Sequence, residues 1–278
     1  RYRWNFGDGT GDTAWSASPT LSHAFANPGT FSVTFSATDD SGIVRSSTFI
    51  QTVHLAPTAN KPTASGNILV QTPPTGNPRL WVVNQDNGSV SVFDAVTLAK
   101  QAEINVGTDP RTLALAANGR IWVANKRSDS ISVIDPGTNT VVNTIALPRA
   151  SRPFGIAMSP TAAQAFAVLE ATGPLLKFDP VTLAPLGSVS VGANPRHLSI
   201  SADGASVYVS RFITPALPGE STAAVTTTPS NGAEVVVIAA GSMSFSRTIV
   251  LQHSDKIDSE NQGRGIPNYL GAAAISPD

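Results

Sequence analysis

Residues 107–127 read GTDPRTLALAANGRIWVANKR, and residues 192–212, GANPRHLSISADGASVYVSRF, follow the same pattern. Each stretch has a glycine, a Pro-Arg pair, an alternating apolar run, an Asn-Gly or Asp-Gly step and a second alternating run. Apolar and polar residues that alternate predict β-strands, and the Asn-Gly and Asp-Gly steps mark turns. Both stretches are therefore predicted to form the same pair of short antiparallel strands.

The same unit recurs about every 40–45 residues from residue 67 onward. Its opening prolines are Pro110, Pro153 and Pro195. The unit that begins at Pro110 contains four alternating apolar runs, TLALAA, RIWVAN, SISVID and VVNTIAL. Four short antiparallel strands at this period are typical of a propeller blade. We expect residues 67–278 to form a partial β-propeller of about four blades: three complete blades, part of one before them and the first strand of one after them.

The first 55 residues carry a different β pattern. Tyr2, Trp4 and Phe6 occupy alternate positions and precede the turn signal Gly-Asp-Gly. Residues 29–42 and 43–55 contain two further alternating runs. Residues 56–66, APTANKPTASG, have no periodicity and a composition typical of a linker. We therefore expect one β domain in residues 1–55, a linker in 56–66 and the propeller from residue 67.

Two resemblances to known families accompany these patterns. WNFGDGT (residues 4–10) and HAFANPGTFSVTFSATDDSG (residues 23–42) resemble PKD-type immunoglobulin-like domains, with Asn5 in place of the usual Asp. The resemblance covers only the later strands of such a domain and implies an N-terminally truncated β-sandwich. IWVANKRSDSISVIDPGTNTVVNTI (residues 121–145) is similar to the YVTN-type repeat of bacterial surface propellers. The expected fold class is all-β: a truncated immunoglobulin-like sandwich followed by a propeller truncated at its C-terminal end.

The amino-acid composition limits the classes of partner and cofactor that we expect for this chain. Charged residues make up 13% of the chain, and 18 Lys and Arg balance 19 Asp and Glu, so we expect no nucleic-acid partner. No apolar run approaches the roughly 18 residues that span a bilayer, so we expect no membrane insertion. The absence of cysteine excludes disulfides, Cys-ligated zinc and covalent c-type haem within this segment. We expect no cofactor here, and the low charge favours a secreted, cell-surface or periplasmic bacterial protein.

Several polar residues recur with the blades: Asn84, Asn125, Asp94, Asp135 and Asp179. Metal binding is one interpretation, but short polar side chains at turns more often bond to nearby backbone N–H groups. Recurrence in every blade favours the structural interpretation. For the same reason we expect Asp8 to hold a turn rather than a calcium ion. No pair of histidines has a spacing typical of zinc ligands.

The repeat breaks in its last complete unit, where long insertions occupy residues 213–232 and 253–267. In a four-stranded antiparallel blade both connections emerge on one rim, and loops on a rigid scaffold often build binding sites. The loops that open the blades bring arginines to the same rim. Our candidate ligand-binding residues are Arg111, Arg152, Arg196, His197, Arg211 and Arg264. Arginines there suit an anionic ligand, or they pair with acidic neighbours such as Asp255, Asp258 and Glu260; both interpretations stay open.

Three functions follow from these features. The first is a non-catalytic exported or cell-surface adhesion or scaffold protein that binds protein or glycan through its loop-bearing rim. The alternative is the propeller part of an exported redox protein, because VSRFITPALPGE (residues 209–220) and the loop after residue 252 look like those of bacterial proteins with a downstream cytochrome c-like domain. A hydrolase or lyase that uses the rim ranks third, because His197 is the only histidine expected near it.

Overall fold

The computed structural model describes residues 1–53, 63–213, 233–251 and 269–275, and every regular element in these segments is a β-strand. The chain divides into two units, Arg1–Ala59 and Asn60–Asp278. None of the described segments contains a helix with the length and hydropathy that crossing a bilayer requires.

The first unit contains one antiparallel sheet of three strands in the order β1 (Tyr2–Asn5), β2 (Gly29–Thr38) and β3 (Val44–Val53). Its core is aromatic: the ring centroids of Trp4 and Phe35 lie 4.6 Å apart. This sheet agrees with the predicted all-β class.

Asp8 holds the turn after β1, as predicted. Its Oδ1 accepts hydrogen bonds from the backbone N–H of Thr10 at 3.2 Å and from the Thr10 hydroxyl at 2.6 Å. Its Oδ2 pairs with Nε2 of His23 at 2.7 Å, and the His23 ring stacks on Phe6 with centroids 3.8 Å apart. The hydroxyl of Thr10, followed by His23, lowers the pKa of Asp8 to about 2.

The second unit contains four antiparallel sheets, each with four strands in chain order, which we call blades 1 to 4. Blade 1 comprises β4 (Ile68–Gln71), β5 (Arg79–Asn84), β6 (Ser89–Asp94) and β7 (Lys100–Asn105). Blade 2 comprises β8 (Pro110–Leu115), β9 (Ile121–Asn125), β10 (Ser130–Asp135) and β11 (Thr140–Ala146). Blade 3 comprises β12 (Pro153–Met158), β13 (Ala165–Leu169), β14 (Pro174–Phe178) and β15 (Pro185–Ser190). Blade 4 comprises β16 (Pro195–Ile200), β17 (Ser206–Arg211), β18 (Ala233–Ala239) and β19 (Ser244–Leu251).

The two ends of this array differ from the prediction. Blade 1 is complete, because the short strand β4 pairs with β5 although it lacks the Pro-Arg opening of the later units. At the other end, residues 269–275 form no strand. They lie beside blade 4, where the hydroxyls of Ser199 and Ser210 donate to the carbonyl oxygens of Ala273 and Gly271 at 2.6 and 2.7 Å.

The blades stack face to face through apolar layers. Trp81 and Ile121 share the layer between blades 1 and 2, and Trp122 lies between blades 2 and 3. Both tryptophans are fully buried, and burying a side chain of this size is among the largest favourable contributions to folding. The first strands β8, β12 and β16 contact one another in series, so they are the innermost strands of the array.

The recurring aspartates cap turns, as predicted. Oδ1 of Asp94 accepts from the backbone N–H groups of Val96 and Thr97 at 2.9 and 2.8 Å, and Asp179 and Asp135 bond in the same way at equivalent turns. The bond from Thr97 is the largest cause that lowers the pKa of Asp94 to about 2.

The recurring asparagines have different partners from those predicted. Nδ2 of Asn125 donates to the hydroxyls of Ser130 and Ser132 on the adjacent strand at 3.3 and 2.9 Å. Asn84 makes the equivalent pair of bonds in blade 1, at 3.0 and 2.8 Å. Their role is structural, but they tie strand to strand through serine hydroxyls rather than binding backbone N–H groups.

Candidate functional site

The loops that open blades 2, 3 and 4 share one backbone geometry. The residue before each opening proline is left-handed, with φ of 56° at Asp109, 53° at Arg152 and 54° at Asn194. Its carbonyl oxygen accepts a hydrogen bond from the first residue after the second strand of the same blade. These donors are the N–H groups of Lys126, Glu170 and Phe212, at 2.9, 3.0 and 2.8 Å. Each blade thus brings two defined side-chain positions to one rim.

In blades 2, 3 and 4, six side chains directly follow either the opening proline or the second strand. We call them the mouth cluster: Arg111, Lys126, Phe154, Glu170, Arg196 and Phe212. Phe154 lies at its centre. The guanidinium carbons of Arg111 and Arg196 are 5.5 and 5.0 Å from the centroid of its ring, and Nζ of Lys126 is 5.4 Å away. All three cations lie within the range of cation–π attraction, about 6 Å.

Glu170 joins the three blades electrostatically. Its side chain is buried, its Oε2 lies 2.5 Å from Nζ of Lys126 in blade 2, and its Oε1 pairs with Nε of Arg196 in blade 4. Burial alone would raise the pKa of Glu170, but the two cations outweigh it and hold the pKa below its usual range. Glu170 is therefore ionised at neutral pH and fixes both cations.

Arg111 of the mouth cluster and Arg211, beside it on the rim, are also paired. Arg111 donates to Asp109 and to Oε1 of Gln85, both at 2.8 Å. Arg211 pairs with Glu234 and donates to the carbonyl oxygen of Ala193 at 2.8 Å. The three cations of the mouth cluster, Arg111, Lys126 and Arg196, are thus paired with two carboxylates, those of Asp109 and Glu170, which leaves one net positive charge at the mouth.

The structure brings some of the predicted site residues together and leaves others apart. Arg111, Arg196 and His197 lie at the same mouth, whereas the side chain of Arg152 is exposed and its N–H donates to Asp129 at 2.9 Å. Arg264 lies outside the described residues, as do its proposed partners Asp255, Asp258 and Glu260. Of the two long insertions, residues 213–232 are described only at Ile213, and residues 253–267 lie outside the described residues.

His197 is tied into the propeller interior. Its Nδ1 lies 3.3 Å from Oγ of Ser65, and its ring meets Phe154 edge-on with centroids 5.1 Å apart. Burial, followed by the charge of Arg196, lowers its pKa. The imidazole is therefore neutral at pH 7 and contributes a polar contact rather than a charge.

Residues 63–66 bridge β16 of blade 4 and β8 of blade 2, and we call this segment the strap. The N–H of Ser65 donates to the carbonyl oxygen of Leu198 in blade 4 at 2.8 Å, and the N–H of Leu198 donates back to Oγ of Ser65 at 3.1 Å. One residue later, the N–H of Leu113 in blade 2 donates to the carbonyl oxygen of Gly66 at 2.8 Å. The strap therefore connects the innermost strands on both sides of blade 3.

Sequence reasoning missed four members of the mouth cluster, Lys126, Phe154, Glu170 and Phe212. Phe154 occupies the repeat position that Arg111 and Arg196 hold in the neighbouring blades, so alignment of the units would have found it. The other three follow the second strand of their blades and are found by the same alignment. The sequence predicts a linker where the strap lies. Its contacts use backbone groups and one hydroxyl, which leave no recognisable pattern of residue types.

The described residues contain no group of three His, Asp or Glu side chains arranged to hold a metal ion. What they offer is guanidinium and ammonium groups around an aromatic ring, which suits a carboxylate or another anion.

Comparison with known proteins identifies the first unit and the architecture of the second. Residues 1–53 match the family model of the PKD domain. No curated protein matches this chain by sequence. Among solved structures, Kuenenia stuttgartiensis hydrazine synthase is similar with a TM-score of 0.55 and 23% identity over 74% of this chain. The match covers 54% of the hydrazine synthase chain, so this chain spans about half the length of that relative.

Two lyases are also similar in structure. Virginiamycin B lyase from Staphylococcus aureus has a TM-score of 0.50 and 11% identity, over 95% of this chain and 76% of the lyase. A streptogramin B lyase has a TM-score of 0.50 and 12% identity, over 84% of this chain and 81% of the lyase. At these identities the likeness concerns the fold alone, and it supports the β-propeller architecture. Residues 1–53 thus resemble a PKD domain, and the blades after them form a β-propeller-like array.

Proposed function

We propose that this chain is a non-catalytic exported recognition module in which a YVTN-type propeller binds an anionic group of a protein or glycan at the mouth cluster. The observation that carries the proposal is the arrangement of Arg111, Lys126 and Arg196 around Phe154. A fixed cluster loses little conformational entropy when a ligand binds, which favours affinity.

The electrostatics of the cluster support this proposal. Glu170 neutralises part of the charge of Lys126 and Arg196 and holds both side chains in place. The remaining positive charge is next to an aromatic face, where water is partly excluded. A carboxylate that binds there gains forked hydrogen bonds from guanidinium groups. A PKD domain in the same chain agrees with an exported location, which we propose on that ground.

The test uses two polyanions that present the same charge on different backbones, poly-L-glutamate and polygalacturonate, with the full chain immobilised. Loss of one charge-assisted contact is expected to weaken binding about tenfold. We expect Arg111→Gln and Arg196→Gln each to do so, whereas Arg247→Gln, on the exposed outer strand β19, leaves binding unchanged. Binding must also fall as salt is raised. If neither polyanion binds, or if all three variants bind alike, the proposal is wrong.

A second candidate function is the propeller part of an exported redox protein. The observation that favours it is that the two long loops that carry this resemblance meet at their described ends. The N–H of Tyr269 donates to the carbonyl oxygen of Phe212 at 2.6 Å, and the two rings lie 4.9 Å apart. The rim would then serve as a docking surface for a haem domain. A Cys-x-x-Cys-His motif downstream in the parent gene would support this function, and a cell-wall anchor there would contradict it.

A further inference from the structure

A separate groove lies on the same rim between blades 1 and 2. It is formed by the β5–β6 turn, the β7–β8 loop and Arg127, and its volume is about 640 Å³. This volume falls within the range of about 300–1,000 Å³ that is usual for small-ligand sites. Val106 is the only apolar side chain among the described residues that line it.

The groove has a different charge balance from the mouth cluster. Two cations, Arg111 and Arg127, are matched by two carboxylates, Asp86 and Asp109. A balanced site of this kind gives a polyanion no net attraction. It suits a neutral ligand that both donates and accepts hydrogen bonds.

The remaining side chains of the groove have this dual capacity. Gln85, Asn87 and Asn105 carry amides, each of which offers both donors and an acceptor, and Thr108 adds a hydroxyl. Asp86 and Asn87 lie exposed at the tip of the β5–β6 turn. In addition, Nε of Arg111 is buried without a hydrogen-bond partner among the described residues.

The loops that line the groove are fixed before any ligand arrives. The N–H of Thr108 donates to Oγ of Ser128 at 3.0 Å, and the N–H of Arg127 donates to the carbonyl oxygen of Thr108 at 3.1 Å. Gly107 lies against blade 2 so closely that a Cβ there would come within 2.7 Å of Cβ of Asn125. The groove is therefore preorganised, which reduces the entropic cost of binding.

We infer that this groove binds a neutral saccharide unit of a glycan. A pyranose ring carries several hydroxyls, each both donor and acceptor, and these match the mixture of carboxylates, amides and guanidinium groups. The inference goes beyond the proposed function, because the groove shares only Arg111 with the mouth cluster and its ligand carries no charge. It requires only the groove and does not depend on anion binding at the mouth cluster.

The experiment titrates the full chain with lactose, cellobiose, mannobiose and chitobiose, followed by ligand-observed NMR. We expect at least one of them to bind with a dissociation constant of about 1 mM or below. Asp86→Asn and Asn87→Ala each weaken that binding about tenfold, because each removes a hydrogen bond to the sugar. Both residues are exposed, so the substitutions leave the fold intact.

Matched controls separate this site from other surfaces. Asp40→Asn, in the first unit, and Asn143→Ala, on β11, make the same chemical changes at exposed positions away from the groove, and they leave binding unchanged. Arg196→Gln, in the mouth cluster, also leaves disaccharide binding unchanged. The proposal for the mouth cluster can therefore fail in the polyanion assay without affecting this test. The inference is overturned if no neutral disaccharide binds at about 20 mM, or if Asp86→Asn and Asn87→Ala bind normally.

Discussion

Replacement of Gly155 by alanine tests how blades 3 and 4 are fitted together. Gly155 lies on β12, and its backbone passes directly over β16. A Cβ built on it would overlap the carbonyl oxygen of Arg196, at a distance below the 3.0 Å that real Cβ atoms keep, and would lie 3.2 Å from both Cα of His197 and Cγ2 of Val168. The obstacle is mainly backbone, which cannot rotate away. We therefore expect Gly155→Ala to reduce the free energy of unfolding by about 2–3 kcal/mol, near the upper end for overpacking.

The assay is urea unfolding followed by tryptophan fluorescence, with the free-energy change taken from the shift in midpoint at a common slope. Gly241→Ala is the matched control, because a Cβ there meets nothing within 4 Å. We expect the control to change the free energy of unfolding by less than about 0.5 kcal/mol. Because Gly155 also sets the position of Arg196, the same variant should weaken polyanion binding. A Gly155→Ala variant as stable as the control would refute the argument from close approach.

Three further predictions concern the rim. Arg152 is left-handed with φ of 53°, so Arg152→Asn should raise the free energy of unfolding by about 0.5–1 kcal/mol, because asparagine adopts this conformation more readily; an unchanged urea midpoint would contradict this. Glu170→Gln leaves Lys126 and Arg196 without their carboxylate and should reduce stability at pH 7 by about 1–3 kcal/mol. Since the pKa of Glu170 is lowered in the folded state, the wild-type protein loses this contribution as pH falls below the unfolded pKa of about 4.3, and the difference between the two proteins should shrink there. The folded state binds a proton to His197 less readily than the unfolded state, so stability should fall as pH drops below about 6.5, and His197→Gln should flatten that slope in denaturation midpoints measured from pH 7 to 5.

The fold was accessible from the sequence because its determinants are local. Alternation of apolar residues identified the strands, and an aspartate such as Asp94 marks the turn that it caps two and three residues later. The first strand of blade 1 was missed because Ile68–Gln71 is short and lacks the Pro-Arg opening. The strand is recognised only by its pairing with β5, and its own residues carry no sequence signal that predicts this pairing.

The candidate site was less accessible because its contacts join blades that are distant in the chain. Sequence spacing placed Arg111 and Arg196 on one rim, but it gave no sign that Glu170 would pair with Arg196 or that Phe154 would lie between the two arginines. Those relations depend on how the first strands pack around the axis. The strap could not be predicted from the sequence for another reason. Backbone hydrogen bonds, such as the one from Ser65 to Leu198, form with almost any side chain.

The strap also determines how mechanical force reaches the propeller. A pull on the chain before residue 63 is applied at the axis, because the strap is hydrogen-bonded to β8 and β16 rather than to an outer strand. The force is then shared between blades 2 and 4. It does not act on a single exposed strand at the edge of one blade. A module anchored in this way resists tension from its own N-terminal side by bearing it through its most deeply buried strands.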